Sequence, residues 1–280
     1  MNTPEIYWNN LPSLIDPIVF SVGFFSVRWY SLMILVTFLI IYLLVQWRIK
    51  HDKKTTSNLP TEKVESLFIY LAIGVIVGAR LGYSFFYDLS ATLQNPISII
   101  SPFESGSFVG IFGLSFHGGV LGTIAGGLLF CKKNNINFLK MANFLIPTIP
   151  LGYFFGRIGN FLNGELFGRP TDSPIGMFFP LDETSSLRHP SQLYEAIGEG
   201  LILFAILWPI RNNKRMQNFL LPLYLILYST IRFLIEFYRM PDNHLGLIFW
   251  NLSMGQVLSS LMFFVGLILL IHTKKHRQRE

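Results

Sequence analysis

Charge is what this chain has least of. Asp, Glu, Lys and Arg make up only 14% of its 280 residues, against about 25% in an average soluble chain. A soluble domain of this length needs more polar surface, so a cytosolic or secreted globule is excluded. Cysteine is nearly absent. Cys131 stands alone, which rules out an internal disulfide and a cysteine-based metal site. No heptads persist, which removes a coiled coil, and an aromatic share of 15% removes a disordered chain. The first ten positions carry Glu5 but no Lys or Arg, unlike the basic start of a cleaved signal peptide. No G-x-S-x-G occurs, Ser84 and Ser115 have no assignable histidine partner, and a pair of intramembrane aspartates is missing. Serine and aspartyl proteolysis within a membrane are therefore disfavoured.

Apolar residues fill the space that charge leaves. They make up 51% of the chain, and the mean hydropathy is +0.46. Seven hydrophobic runs stand out, at 29–47, 64–86, 112–130, 138–161, 192–210, 219–238 and 250–272. Each is about long enough to cross a ~30 Å hydrocarbon core as a helix. The runs are continuous and lack period-two alternation, so helices are expected over barrel strands. The expectation is an all-α polytopic membrane protein forming a single transmembrane domain over residues 1–280.

The net charge of +6 needs no nucleic acid to explain it. Most basic residues fall in alternate connections: Arg48, Lys50, Lys53, Lys54 and Lys63; Lys132, Lys133 and Lys140; Arg211, Lys214 and Arg215; then Lys274, Lys275, Arg277 and Arg279. The positive-inside rule makes these connections cytoplasmic. The N-terminus then lies outside and the C-terminus inside, which seven spans satisfy. The remaining basic residues are Arg28, Arg80, Arg157, Arg169, Arg188, Arg232 and Arg239, with no lysine among them. Arginine stays charged when partly buried and grips phosphate with a planar fork. An arginine-only set points to an anionic site; snorkelling arginines under positive-inside bias are the alternative. Cys131 lies beside Lys132 at a cytoplasmic helix end, a poor place for a nucleophile serving an outer site. The six histidines form no H-x-x-x-H pair on the outer side, and His272 and His276 sit in a cation-repelling basic tail, so no metal is expected.

Two outer segments exceed plain turns. Residues 88–111 contain Pro96, Pro102, Gly106 and Gly110 and read as an interfacial arm; residues 163–190, rich in glycine and proline, read as a small outer head. Residues 14–27 are apolar but broken by Pro17, an interfacial lead-in. Glycines recur every four residues at Gly74, Gly78 and Gly82, at Gly118, Gly122 and Gly126, and at Gly152 and Gly156. That spacing lets helix backbones approach closely and implies a tight bundle core.

Ionisable groups inside a membrane helix are costly, so each is a site candidate. Tyr228, Arg232, Glu236 and Arg239 share one helical face. One Arg–Glu pair could be structural glue, but the second arginine leaves a positive charge without a partner on that face. Arg157 and Asn160 lie one turn apart at the end of the fourth span, followed by a glycine-rich stretch. His117 opens the third span; it is either a hydrogen-bonding residue or a general base. Tyr30 fits an aromatic belt. Arg80, in Gly78-Ala79-Arg80-Leu81-Gly82, is open between catalysis and packing.

The run Gly156-Arg157-Ile158-Gly159-Asn160-Phe161-Leu162-Asn163-Gly164-Glu165-Leu166-Phe167-Gly168-Arg169 closely resembles the signature of the bacterial prolipoprotein diacylglyceryl transferases, G-R-x-G-N-F-x-N-x-E-x-x-G-R. Four further segments are similar to that family in the same order: Arg28-Trp29-Tyr30, Ser115-Phe116-His117-Gly118-Gly119, the run from Arg188 to Glu195, and the run from Arg232 to Arg239. Ser253-Met254-Gly255-Gln256 also fits. The resemblance implies seven membrane helices with an outer head, in the bacterial cytoplasmic (inner) membrane, and an active site toward the outer face. It implies transfer of a diacylglyceryl group from phosphatidylglycerol to the lipobox cysteine of a preprolipoprotein signal peptide, forming a thioether and glycerol phosphate. No cofactor is implied. Both substrates would enter from membrane lipid. The catalytic set carried over is Tyr30, His117, Arg157 and Arg232. Arg157, Asn160, Glu165, Gly168, Glu236 and Arg239 are the substrate-binding set. His117 or a substrate-assisted route would remove the thiol proton. A lipid or anion transporter would use the same arginines without covalent change, though no inverted repeat supports it.

Overall fold

The computed structural model describes residues 8–23, 25–52, 59–99, 101, 103–104, 107–108, 113–241, 246, 248 and 251–277. Lys53, Lys54, Arg279, most of residues 100–111 and the first residue of the expected seventh span lie outside them. The chain divides into two units, Met1–Lys54 with Ala142–Glu280, and Thr55–Met141.

The first unit opens with a 3-10 turn, Trp8–Leu14, and a hairpin, β1 (Ile18–Val22) with β2 (Phe25–Arg28). The hairpin runs directly into α1, Trp29–His51. Leu35, Leu39 and Leu43 are at least half exposed along α1. In water such a face would be a liability, but a helix in lipid has no reason to hide it. The apolar run Phe138–Leu162 holds α5 (Phe138–Leu145), a 3-10 turn and α6 (Ile149–Leu162). α1 packs on α6 at two glycines. A Cβ on Gly152 would lie 2.6 Å from Ile41 Cδ1, and one on Gly159 would lie 2.8 Å from Met33 Cβ. A third run, Ser191–Ile210, is α7 (Ser191–Glu195), a π-helical turn (Ala196–Ile202) and α8 (Leu203–Ile210). α9 (Leu220–Ile235) and α10 (Met254–Arg277) close the unit.

At their C-terminal ends, α1 and α8 are tied by charge. Arg48 Nε meets Asp52 Oδ2 at 2.7 Å, and Arg211 Nη2 meets Asp52 Oδ1 at 3.4 Å. The Arg211 guanidinium also lies over the Trp208 ring, 4.0 Å from its centroid.

The second unit contains α2 (Val64–Phe86), α3 (Leu89–Gln94), a 3-10 turn (Pro96–Ile99), the short hairpin β3 (Phe103–Glu104) with β4 (Ser107–Phe108), and α4 (Phe116–Asn134). The glycine ladders of α2 and α4 face each other. A Cβ on Gly74, Gly78, Gly118 or Gly122 would run into the backbone opposite. This is the packing that the four-residue spacing predicts. Ser115 caps α4, its hydroxyl accepting the Gly118 N–H at 3.3 Å.

Among the described residues, five helical runs are long and apolar enough to cross a membrane: Trp29–His51, Val64–Phe86, Phe138–Leu162, Ser191–Ile210 and Met254–Lys275. The chain is a helical, multi-pass membrane protein. Two of the seven expected spans are not among the five, for physical reasons. α4 carries five glycines and ends in Lys132 and Lys133, which dilute its hydropathy. α9 has only 16 residues, because its helix stops at Ile235 and the chain turns at Glu236.

Candidate active site

Three elements of the first unit converge their charged groups. α6 contributes Tyr153, Arg157 and Asn160. The run through α7 and its π-helical turn contributes Glu195 and Glu199. α9 contributes Tyr228 and Arg232, with Glu236 and Arg239 just beyond its end.

Glu195 is the hub. Its side chain is fully buried. Oε2 meets Arg157 Nε at 2.7 Å and Arg232 Nη1 at 3.1 Å, while Oε1 meets Arg239 Nη1 at 2.9 Å. Arg232 is also held by Glu236, Nη2 to Oε2 at 2.6 Å, and Glu199 Oε1 stands 3.7 Å from its Nη1. The Tyr153 hydroxyl accepts from Arg157 Nε at 2.7 Å and donates to Glu195 Oε2 at 3.3 Å. Its ring lies under the Arg157 guanidinium, 4.9 Å from the centroid. Arg157 Nη1 donates to Asn160 Oδ1 at 3.2 Å, and Asn160 Nδ2 donates to Glu165 Oε1 at 2.9 Å.

These contacts correct one expectation. Arg239 does not share the α9 face with Tyr228 and Arg232, because the helix ends at Ile235, and Glu195 from another helix pairs with it. Three arginines meet three glutamates. The asymmetry is instead one of depth. The Arg157, Arg232 and Arg239 side chains keep 13–15% of their surface exposed, while Glu195 and Glu199 keep none. The three arginine side chains are therefore the more accessible part of the cluster, with Glu195 and Glu199 behind them. That arginine edge suits a phosphate, which takes charge-assisted hydrogen bonds from guanidinium groups.

Of the residues singled out from sequence, Tyr30, Arg157, Asn160, Glu165, Gly168, Arg232, Glu236 and Arg239 all lie in the first unit. The Tyr30 N–H donates to Asn163 Oδ1 at 3.1 Å. The Gly168 N–H donates to the His189 carbonyl at 2.8 Å, and Gly168 bridges to Arg239. A Cβ there would lie 2.7 Å from the His189 carbonyl oxygen, so only glycine lets the two strands approach. His117 belongs to the second unit, exposed at the start of α4, its ring edge-on to Phe116 at 5.6 Å. Arg80, also in the second unit, donates from Nε to the Ile99 carbonyl at 2.7 Å and from Nη1 to the Gly113 carbonyl at 3.3 Å. These bonds tie the segment after α3 to α2.

Residues 163–190 are mostly irregular backbone, linked to the cluster by Glu165 and by the Gly168–Arg239 bridge. Phe161, Met177 and Phe179 form a small core, joined by Phe167 and Leu193. Arg188 donates a fork of two hydrogen bonds to Asp182, 2.7 Å each. That guanidinium, helped by Thr184, holds the Asp182 carboxyl down at about 2. Burial pushes the His189 imidazole down as well, and its Nδ1 pairs with the Tyr194 hydroxyl at 3.0 Å.

Sequence reasoning named Glu195 only as the end of a matched segment and passed over Glu199 and Tyr153. A signal for both glutamates was present. They are acidic residues inside an apolar run, and the rule that flags Arg232 and Glu236 flags them too.

The sequence matches the family described as prolipoprotein diacylglyceryl transferase over residues 17–272. Curated relatives carry the name phosphatidylglycerol–prolipoprotein diacylglyceryl transferase. The one from Chlorobaculum tepidum is 45% identical over 278 residues, covering 97% of this chain and 94% of its own. That of Bordetella avium is 43% identical over 265 residues, covering 95% and 97%. That of Campylobacter hominis is 42% identical over 276 residues, covering 98% and 96%.

Proposed function

The chain belongs to the prolipoprotein diacylglyceryl transferase family, and on that premise we propose how its residues divide the work of the reaction. The activity is transfer of the diacylglyceryl group of phosphatidylglycerol to a prolipoprotein, the first step of lipoprotein maturation. The acceptor is the thiol of a lipobox cysteine. The protein lies in the bacterial inner membrane with seven spans, α4 and α9 completing the five long ones. The N-terminus and the arginine edge face outward; residues 163–190 form a head over the site, and residues 88–111 an interfacial arm.

The acceptor thiol loses its proton to a base, for which His117 is the candidate. A free cysteine has a pKa of about 8.5, so deprotonation must be assisted near neutral pH. The thiolate sulfur attacks the glyceryl carbon that bears the phosphate. The C–S bond forms as the C–O bond breaks, and the electron pair leaves on the phosphate oxygen. One negative charge thus moves from sulfur to glycerol phosphate. Arg157 and Arg232 stabilise that growing charge from the arginine edge. Glu195 holds both arginines apart and aimed, Glu236 steadies Arg232, and Asn160 and Glu165 order the headgroup side. Tyr30 and Arg239 flank the donor. The observation that carries this reading is the exposed arginine edge backed by the buried Glu195 hub, built on the family signature.

The test is a product assay on the purified protein in detergent. Phosphatidylglycerol is mixed with a lipobox-cysteine peptide, and the peptide is followed by mass spectrometry. A diacylglyceryl mass gain is expected, falling about 10²–10³-fold in Arg157→Ala, the loss typical of removing one oxyanion donor. No adduct, with lipid bound or moved intact, would replace the transferase reading with transport.

A further inference from the structure

α10 opens with a capping box, and the same residues grip the Glu236 carboxylate. Ser253 stands just ahead of Met254, the first residue of the helix. Its hydroxyl accepts the Gln256 N–H at 3.2 Å, and Gln256 Oε1 accepts the Ser253 N–H at 3.0 Å. This reciprocal pair satisfies two of the N–H groups that a helix start leaves open. The Ser253 hydroxyl also donates to Glu236 Oε1 at 3.0 Å. Ser253 and Gln256 are 2% exposed and Glu236 is 4% exposed, so water does not compete for these bonds. Two residues into the turn, a Cβ on Gly255 would lie 2.5 Å from both Cδ and Oε1 of Glu236. The carboxylate therefore rests on the bare backbone of Gly255. Its other oxygen meets Arg232 Nη2 at 2.6 Å.

Capping alone does not require this arrangement. Asp and Asn cap a helix as well as Ser does. Glycine in a helix weakens it relative to alanine. The donated proton and the missing Cβ are thus surplus to starting α10, and both are directed at one carboxylate. Removing either would let Glu236 move, and Arg232 with it, since the two form an ion pair at 2.6 Å with little water to screen it.

We propose that Ser253 and Gly255 are positioning residues for the transfer reaction: they fix the Glu236 carboxylate and through it the heading of Arg232 toward the leaving phosphate. This rests on the transferase reading above. Both act through Glu236. Their contribution falls on the chemical step rather than on lipid binding, because Arg232 is present and charged whichever way it points.

Three variants of the full chain, purified in detergent, test this with the thioether assay and thermal melting. Ser253→Asp keeps a helix cap, has no proton to give Glu236 and sets a second carboxylate against it. Gly255→Ala strengthens the helix and displaces the Glu236 carboxylate. Ser253→Thr keeps both the cap and the donor. The expected result is a tenfold or greater fall in kcat for Ser253→Asp and Gly255→Ala, with KM for phosphatidylglycerol nearly unchanged and turnover preserved in Ser253→Thr. A purely structural cap predicts wild-type kcat in Ser253→Asp, and that result overturns the proposal. Should Ser253→Asp fail to fold, Gly255→Ala decides: wild-type kcat there overturns the proposal equally. A wild-type protein that forms no thioether refutes the transferase reading itself, which separates the two failures.

Discussion

Glu195 carries no hydroxyl, thiol or imidazole, yet three arginines depend on it. Arg157, Arg232 and Arg239 each place a nitrogen within 3.1 Å of its carboxylate. Removing one partner of a buried ion pair leaves uncompensated charge, at a cost of about 3–5 kcal/mol. Glu195→Gln keeps the shape and removes the charge. It is expected to lower both the melting temperature and thioether formation more than Arg157→Ala does, because it releases three arginines at once. Asp182 offers a second prediction, of opposite character. Its folded carboxyl titrates at about 2 against an ordinary 3.8. A carboxyl depressed by folding lends stability that is fully present above its unfolded pKa and lost as pH falls through the folded one. The 163–190 segment should resist proteolysis at pH 5 and open between about pH 4 and pH 2. Asp182→Asn should be cut readily at pH 5 and show little further change on acidification.

Among the elements, the glycine spacing of α2 and α4 was legible in the sequence, whereas the uneven cost of filling each position was not. A Cβ on Gly122 would meet the Gly78 Cα at 2.8 Å and the Gly74 carbonyl closer still. Gly122→Ala must drive the two backbones apart, and overpacking of this kind costs about 1–3 kcal/mol or more. A Cβ on Gly156 would meet nothing nearer than Thr37 Oγ1 at 3.8 Å. There alanine gains helix propensity, up to about 1 kcal/mol, without a clash. Thermal melting should show Gly122→Ala destabilised and Gly156→Ala equal to or above the parent, although both glycines sit in the same kind of ladder. The spans show the same limit. Continuous apolar runs located the helices to within a few residues, but α9 ends at Ile235 and not at 238. There Arg232 and Glu236 pair across the final turn, and the chain leaves helical geometry to deliver Arg239 to Glu195.

For the molecule as a whole, the distribution of lysine makes a topological statement. Every lysine falls in one set of alternate connections, which the positive-inside rule assigns to the cytoplasm. Membrane-impermeant thiol labelling in a Cys131→Ser background checks this. Thr184→Cys should react in intact cells, and Asn213→Cys only after the membrane is opened. The reverse pattern would place the arginine cluster on the cytoplasmic side and remove the outward site.

Composition and order along the chain were enough for the membrane class, the approximate helices, the arginine-only set and the signature from Gly156 to Arg169. Each of these is a local property: hydropathy over twenty residues, charge between spans, or a motif within fourteen positions. The family resemblance brought together residues from distant segments, but only as a set. Which carboxylate joins Arg157 to Arg232 and Arg239, why Arg239 is not a free charge, and how the first turn of α10 seats Glu236 were decided by tertiary structure alone. Contacts between residues dozens of positions apart leave no period in a sequence. They form only when packed helices bring their faces together, and a buried charge takes whichever partner that packing supplies.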